Sequence, residues 1–175
     1  MGAPGRSADG AHTGYSRYRI RAMSIVRLAE LSDRPELARL RRALWSDGSL
    51  EEHEKEIDAI LAGDWSPIFP YVIFIADGAD APPVGFVEVT LRSRADGCDP
   101  SRPVGYLEGW YVAESCRRRG HGSDLLRAAE DWARRQGCLE MASDTWVDSS
   151  LSQRVHEALG FEVVDRVVNY RKTLS

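Results

Sequence analysis

Val112-Ala-Glu-Ser-Cys-Arg-Arg-Arg-Gly-His-Gly-Ser-Asp-Leu-Leu126 is the stretch on which the reading of this sequence turns. A β-like run, Val104-Gly-Tyr-Leu-Glu-Gly-Trp-Tyr-Val112, ends where it begins, and an amphipathic helical pattern starts inside it. Arg117, Arg118, Arg119, Gly120 and Gly122 therefore lie at a strand-to-helix junction. Such a junction suits phosphate: the first-turn N–H groups and positive dipole end of a helix attract anions, and glycine lets the backbone come close. Taken alone, Arg117-x-x-Gly120-x-Gly122 also reads as a basic, glycine-containing turn.

Downstream, the helix is expected to bury Leu125, Leu126, Ala129, Trp132 and Ala133, expose Arg127, Glu130, Arg134 and Arg135, and stop at Gly137. Leu139-Glu-Met-Ala-Ser-Asp144 reads as a short strand. Strand, loop, helix and strand then form a right-handed crossover with parallel strands, and ligands gather at the carboxyl ends of such strands. Gly109, inside the preceding strand, marks a bulge or a place where a backbone or ligand comes close. A last helix spans about 151–159 and stops at Gly160, and Phe161 to Leu174 reads as a bent or two-part terminal strand.

Upstream, Ile25-Val-Arg-Leu28 reads as a short strand, Asp33 as an N-cap with Pro35 in the first helical turn, and Leu37, Leu40, Leu44 and Trp45 as the apolar face. Ser49 and Glu52 form a capping-box pattern for a second helix that buries Ile57, Ile60 and Leu61. Tyr71 to Ala76 and Val84 to Leu91 make an antiparallel hairpin, and Arg92 to Pro103 a polar loop.

The 175 residues fit a single domain, and a net charge of −4 argues against nucleic acid as the main partner. Cys98, Cys116 and Cys138 have neither metal-ligand nor disulfide-framework spacing, so no metal is expected. No apolar run approaches 18 residues, and residues 1–22, with four Gly and four Arg, carry no secretory core. A cytoplasmic protein with a disordered leader or extension over 1–22, and a single domain over 23–175 starting at Met23, is the expectation. From Asp47 to Asp64 there are seven acidic residues against one lysine, either a solvated helix face or an electrostatic funnel for a cation.

The order β-α-α-β-β-β-α-β-α-β with Arg117-x-x-Gly120-x-Gly122 after a strand resembles the GNAT superfamily of acetyl-CoA-dependent N-acetyltransferases. More specifically, Gly97-Cys98-Asp99, Leu107-Glu108-Gly109, Glu140-Met-Ala-Ser-Asp-Thr145, Ser152-Gln153, Val155-His156, Ala158-Leu-Gly-Phe161 and Tyr170-Arg-Lys172 resemble the chromosomal, dimeric type I aminoglycoside 6'-N-acetyltransferases. The resemblance implies an α/β (α+β) fold with a mixed, mainly antiparallel central sheet. A parallel splayed pair lies at the acetyl-CoA site, with about four flanking helices. It implies a homodimer and no metal. The backbone at Trp110, Tyr111 and Val112 would bind the pantetheine arm. Arg117, Arg118, Arg119, Gly120, His121, Gly122 and Ser123 would wrap the pyrophosphate, with Ser149 also on the cofactor side.

For the acceptor, the resemblance implies an acidic cleft with Trp45, Glu108, Asp144 and Asp165 against the polycationic drug. Two positions depart from the family: Gly48 stands where it has a contacting His, and Arg94 near a contacting Tyr. Glu108 would bind the reacting ammonium and accept its proton, directly or through water. A backbone N–H near Tyr111 or Val112 would polarise the thioester carbonyl. His156 stands where many GNAT enzymes have the tyrosine that protonates the leaving thiolate, and packing beside the cofactor is its other reading; Tyr170 is a second candidate acid. Cys116 has no activating base nearby in sequence and reads as structural. Acidic clefts also suit a polyamine, a protein lysine or an N-terminus as acceptor, and a catalytically idle acetyl-CoA-binding regulator is the non-enzymatic reading.

Overall fold

The computed structural model describes residues 25–66, 68–78 and 81–174, so the expectation for residues 1–22 lies outside the described residues. Strand β1 (Ile25–Leu28) leads through a short 3-10 turn into α1 (Arg34–Leu44) and α2 (Leu50–Ala62). Then follow β2 (Tyr71–Gly78), β3 (Ala81–Arg92), β4 (Val104–Val112), α3 (His121–Arg135), β5 (Met141–Ser143) and α4 (Ser150–Ala158). The five strands form one sheet in chain order, antiparallel except for the parallel pair β4–β5.

Local chemistry sets the helix ends. Ser49 accepts the Glu52 N–H while the Glu52 carboxylate accepts the Ser49 N–H, the reciprocal box expected from sequence, and Gly63 closes α2 in the left-handed region. Asp33 does stand at the α1 N-cap, but its carboxylate makes no cap bond; it holds the Arg27 guanidinium at 2.7 and 2.8 Å. That ion pair, extended through Arg27 to Asp77, ties β1 and β2 to the start of α1.

Alternation along the strands makes two cores. Phe74, Ala76, Val87, Val89, Leu91 and Leu107 pack on Leu125, Leu126, Ala129, Trp132 and Ala133 of α3. Ile73, Ile75 and Phe86 face Leu37, Ala38, Leu40, Ile57 and Ile60 of α1 and α2. Both faces are covered, so the sheet's polar exceptions stand out.

The terminal strand expected over Phe161 to Leu174 is a correction: the described residues 161–174 lie outside any helix or strand. Valines 163, 164, 167 and 168 favour extended backbone, but a strand needs a ladder partner. The adjacent sheet edge, β5, offers only three residues. Val163, Val164, Val167, Val168, Tyr170 and Leu174 are exposed.

Candidate active site

The sheet face toward α1 and α2 changes character along β3. After Phe86 the same face carries Glu88, Thr90 and Arg92, polar residues at positions the apolar pattern would fill. On β4 the ladder slips: Glu88 pairs with Gly109 and Val89 with Leu107, leaving Glu108 as the extra residue. The irregularity expected at Gly109 is thus a β-bulge whose inserted residue is Glu108, a device that re-aims a side chain. Thr90 Oγ1 donates to Glu108 Oε1 at 2.9 Å. Arg92 Nη2 donates to both Glu108 oxygens at 2.9 Å, and Arg92 Nε to Oε1 at 3.3 Å. The same guanidinium lies on the Tyr106 ring, its carbon 3.2 Å from the centroid. Tyr106 in turn donates its hydroxyl to Asp144 at 2.7 Å; burial and that carboxylate push the phenol up to about 12. Glu108 and Asp144, expected on one cleft, are joined through Arg92 and Tyr106.

Trp45 closes one wall of this region. Its indole sits over Gly109, so close that a Cβ there would lie 2.4 Å from the ring, and it meets Phe86 at 6.0 Å between centroids. Beneath it the Arg41 guanidinium lies 5.1 Å from the ring centre. Arg41 Nε is 3.1 Å from Glu88 Oε1 in a buried ion pair whose angle falls short of a hydrogen bond, and Arg41 Nη2 donates to Glu56. Tyr71 donates to the other Glu88 oxygen at 2.5 Å. Burial pushes the Tyr71 phenol far up. The departure at Gly48 also gains a structural context: the His53 imidazole fills the space beside it, 2.8 Å from where a Cβ would stand, and its Nε2 meets the Trp45 carbonyl at 3.2 Å.

On the donor side, β4 and β5 pair only from Gly105–Met141 to Leu107–Ser143. Beyond that fork β4 runs on through Trp110, Tyr111 and Val112, with no β5 ladder beside it. Helix α3 begins after Gly120, which has φ 97° and no side-chain cap bond, and Arg118 also adopts a positive φ of 59°. Alternating left-handed residues turn backbone N–H groups into a concave anion-binding surface. Arg117, Arg118 and Arg119 are exposed around it, with Arg117 Nε donating to the Val112 carbonyl at 3.0 Å. Gly122 lies against Trp110, where a Cβ would come within 2.7 Å of the indole, so the helix start is held tight to β4. The indole Nε1 of Trp110 is buried with no hydrogen-bond partner.

His156 of α4 sits at the fork itself. Its Nδ1 is 2.8 Å from the Ser152 carbonyl, and its Nε2 is 3.1 Å from Ser143 Oγ, which lies 3.2 Å from the Leu107 carbonyl. A neutral ring donates from Nδ1 and accepts from Ser143; with a proton on Nε2 it donates to Ser143, whose hydroxyl then turns to Leu107. In both arrangements Nδ1 donates to Ser152, while the single Ser143 hydroxyl hydrogen goes either to the ring or to the Leu107 carbonyl. Phe161 braces it edge-on at 5.3 Å. Ser149 stands at the α4 N-cap. Arg94 is exposed on the loop after β3, and Asp165 and Tyr170 lie on the exposed C-terminal segment; no described contact joins these three to Glu108 or Asp144.

Arg41, Tyr71, Glu88, Arg92, Tyr106 and Ser143 are the site's contributors that sequence reasoning missed. Glu88 gave one usable signal, a carboxylate in the middle of the apolar run Phe86-Val-Glu-Val89.

A model of the acetyltransferase (GNAT) family matches residues 34–161, and the chain belongs to that family. It is similar to the aminoglycoside N(6')-acetyltransferase type 1 of Serratia marcescens, 48% identical over 136 residues that take in 77% of this chain and 89% of the relative. The enzyme of the same name from Klebsiella aerogenes is 42% identical over 150 residues, 86% of this chain and 97% of its own. Among solved structures, AAC(6')-Iy in complex with the bisubstrate analog CoA-S-monomethyl-acetylneamine matches with a TM-score of 0.77 at 36% identity, covering 87% of this chain and 100% of that one. AAC(6')-Iy in complex with CoA matches at 0.78 and 37%. The mainly antiparallel sheet with a parallel, splaying last pair agrees with the fold expected from the sequence.

Proposed function

We propose that this chain is an acetyl-CoA-dependent aminoglycoside 6'-N-acetyltransferase that transfers the acetyl group directly within a ternary complex and thereby protects the cell from the drug. The observation that carries the reading is the juxtaposition of a bulge-presented carboxylate, Glu108, with the fork of β4 and β5. The acceptor and donor halves of the site meet there.

The residues fit acetyl-CoA, which supplies the activated acetyl thioester when bound. The free β4 edge at Trp110, Tyr111 and Val112 offers amide partners to the pantetheine arm in the manner of an added strand. The α3 start, from Gly120 through His121 and Gly122 to Ser123, with Arg117, Arg118 and Arg119, faces the pyrophosphate. Replacing Gly120 by Ala puts a Cβ at φ 97°, a conformation that costs a side-chain-bearing residue about 1–2 kcal/mol. The KM for acetyl-CoA at saturating acceptor is expected to rise about tenfold; an unchanged KM would remove the loop from the donor site.

On the acceptor side, Glu108 and Asp144 attract and orient the ammonium groups, with Trp45 as the apolar wall. Asp165 is assigned to the same cleft by resemblance. Glu108 accepts the proton of the reacting amine, directly or through water. A backbone N–H near Tyr111 or Val112 polarises the carbonyl. His156, poised at the fork with exchangeable hydrogen bonds, returns a proton to the thiolate, a role for which Tyr170 is the second candidate. The protein works in the cytoplasm, where acetyl-CoA is made, and as a homodimer, the exposed apolar residues of 163–174 supporting that assembly.

Thiol release from acetyl-CoA with kanamycin, tobramycin, spermidine and a lysine peptide in parallel tests the assignment. Turnover led by kanamycin or tobramycin is expected. Preference for spermidine or the peptide would overturn the acceptor class, and no turnover with any of them would favour an acetyl-CoA-binding regulator.

A further inference from the structure

We infer that Arg92 is a specificity-determining residue that works by competition: its guanidinium occupies the cation subsite formed by Glu108 and Tyr106, and an acceptor ammonium must displace it. The inference rests on the functional reading above. Its basis is the geometry of the occupant. A cation-binding site is expected to combine a carboxylate with an aromatic face. Arg92 already fills both roles for itself, with Nη2 2.9 Å from each Glu108 oxygen and the guanidinium carbon 3.2 Å from the Tyr106 ring centre. The second carboxylate of the cleft, Asp144, is coupled to the same spot through the Tyr106 hydroxyl.

Arg92 can also leave. It is the last residue of β3, its side chain is 42% exposed while that of Glu108 is 23% exposed, and the chain beyond it is a polar loop. Arg41 contrasts with it, being 4% exposed and enclosed by Glu56, Glu88 and Trp45. Arg41 is fixed, whereas Arg92 is tethered. A tethered cation on the subsite discriminates among acceptors. A lone amine must win Glu108 from the guanidinium unaided, whereas a polycation brings further ammonium groups that Asp144 can hold, offsetting the displacement. The selected substrate class is therefore amines carrying several cationic groups a few bonds apart.

The apparent affinity of a site falls by the fraction of time it is open. For a half-exposed ion pair reinforced by ring stacking, removing the competitor should lower the acceptor's KM about five- to tenfold. The test measures kinetics with tobramycin and with a monoamine, cyclohexylmethylamine, for Arg92→Gln, Arg92→Met and Arg92→Lys, with the KM for acetyl-CoA and the melting temperature as controls. Both neutral variants are expected to lower the KM for either amine by about five- to tenfold, more for the monoamine, which has no second ammonium for Asp144 to hold, than for tobramycin. Arg92→Lys, a cation without the planar fork, is expected to fall between them and wild type. Arg92→Met keeps an apolar stem over Tyr106 should the glutamine variant fold poorly. A KM that stays unchanged or rises in the folded neutral variants would overturn the inference and make Arg92 a support for Glu108. Failure of the functional reading shows separately, as absence of aminoglycoside turnover by wild type. In that case tobramycin binding measured by calorimetry on the CoA-loaded protein decides: a Kd lowered in Arg92→Gln supports competition, and an equal or raised Kd overturns it.

Discussion

Replacing Glu88 by alanine is expected to lower the unfolding free energy at about pH 8 by about 3–5 kcal/mol, the usual cost of breaking a buried ion pair by removing one partner. Glu88 is fully buried, and its loss leaves Arg41, itself 4% exposed, with Glu56 as its remaining carboxylate. It also strips the Tyr71 hydroxyl of its acceptor. For a domain of this size the melting temperature should fall by about 10 °C, measured by calorimetry or circular dichroism; a shift within error would mean that the pair is not held as described. The pH dependence has a definite sign. Burial pushes the Glu88 carboxyl up to about 7, against the pull of Arg41 and Tyr71. The folded chain then keeps a proton that the unfolded chain has lost, so this contribution is full below the ordinary 4.5 and is lost as the pH rises through 7. Glu88→Gln cannot titrate. Its stability relative to wild type should therefore improve between about pH 5 and about pH 8.

Glu108→Gln is expected to reduce kcat/KM for an aminoglycoside by about a hundredfold or more, the range associated with loss of a positioned base. Glutamine nearly preserves the shape and can still accept from Thr90 and Arg92, so the bulge and its surroundings should survive. What disappears is the negative charge proposed to attract the ammonium and the basicity proposed to take its proton. The loss should appear in both kcat and KM, while the Kd for CoA stays within about twofold of wild type because the helix start proposed to hold the pyrophosphate is untouched. Unchanged kcat/KM would remove Glu108 from the site and transfer its role to Asp144.

Most of the fold was legible because it is written in local patterns. Ser49 and Glu52 announced α2 by chemistry confined to four residues. The periodicity of Leu125, Leu126, Ala129, Trp132 and Ala133 fixed which face of α3 is buried. Gly109 was legible as an anomaly, though only pairing could show that its neighbour Glu108 is the inserted residue. Long-range partnership is what sequence does not carry. Arg92 reads as the first residue of a polar loop, yet it bonds Glu108, 16 positions further along the chain. Arg41 reads as one more charge on a helix whose exposed face has several, and nothing near it names Glu88 as its partner. The segment after Phe161 misled for the converse reason: four valines state a preference for extended backbone, and a preference without a neighbour to pair with does not make a strand.

The extra residue in β4 has a consequence for how the two halves of the site are wired. Before it, odd-numbered Leu107 faces α3; after it, even-numbered Trp110 and Val112 do, while Tyr111 turns to the α1 side. The strand changes phase at one residue. Deleting that residue would swap Trp110 and Tyr111 between opposite faces and move the surfaces on both sides of the sheet at once. Neither face can be re-registered alone, whereas a residue that hangs off the frame, such as Arg92 on its partly exposed stem, can change without moving it.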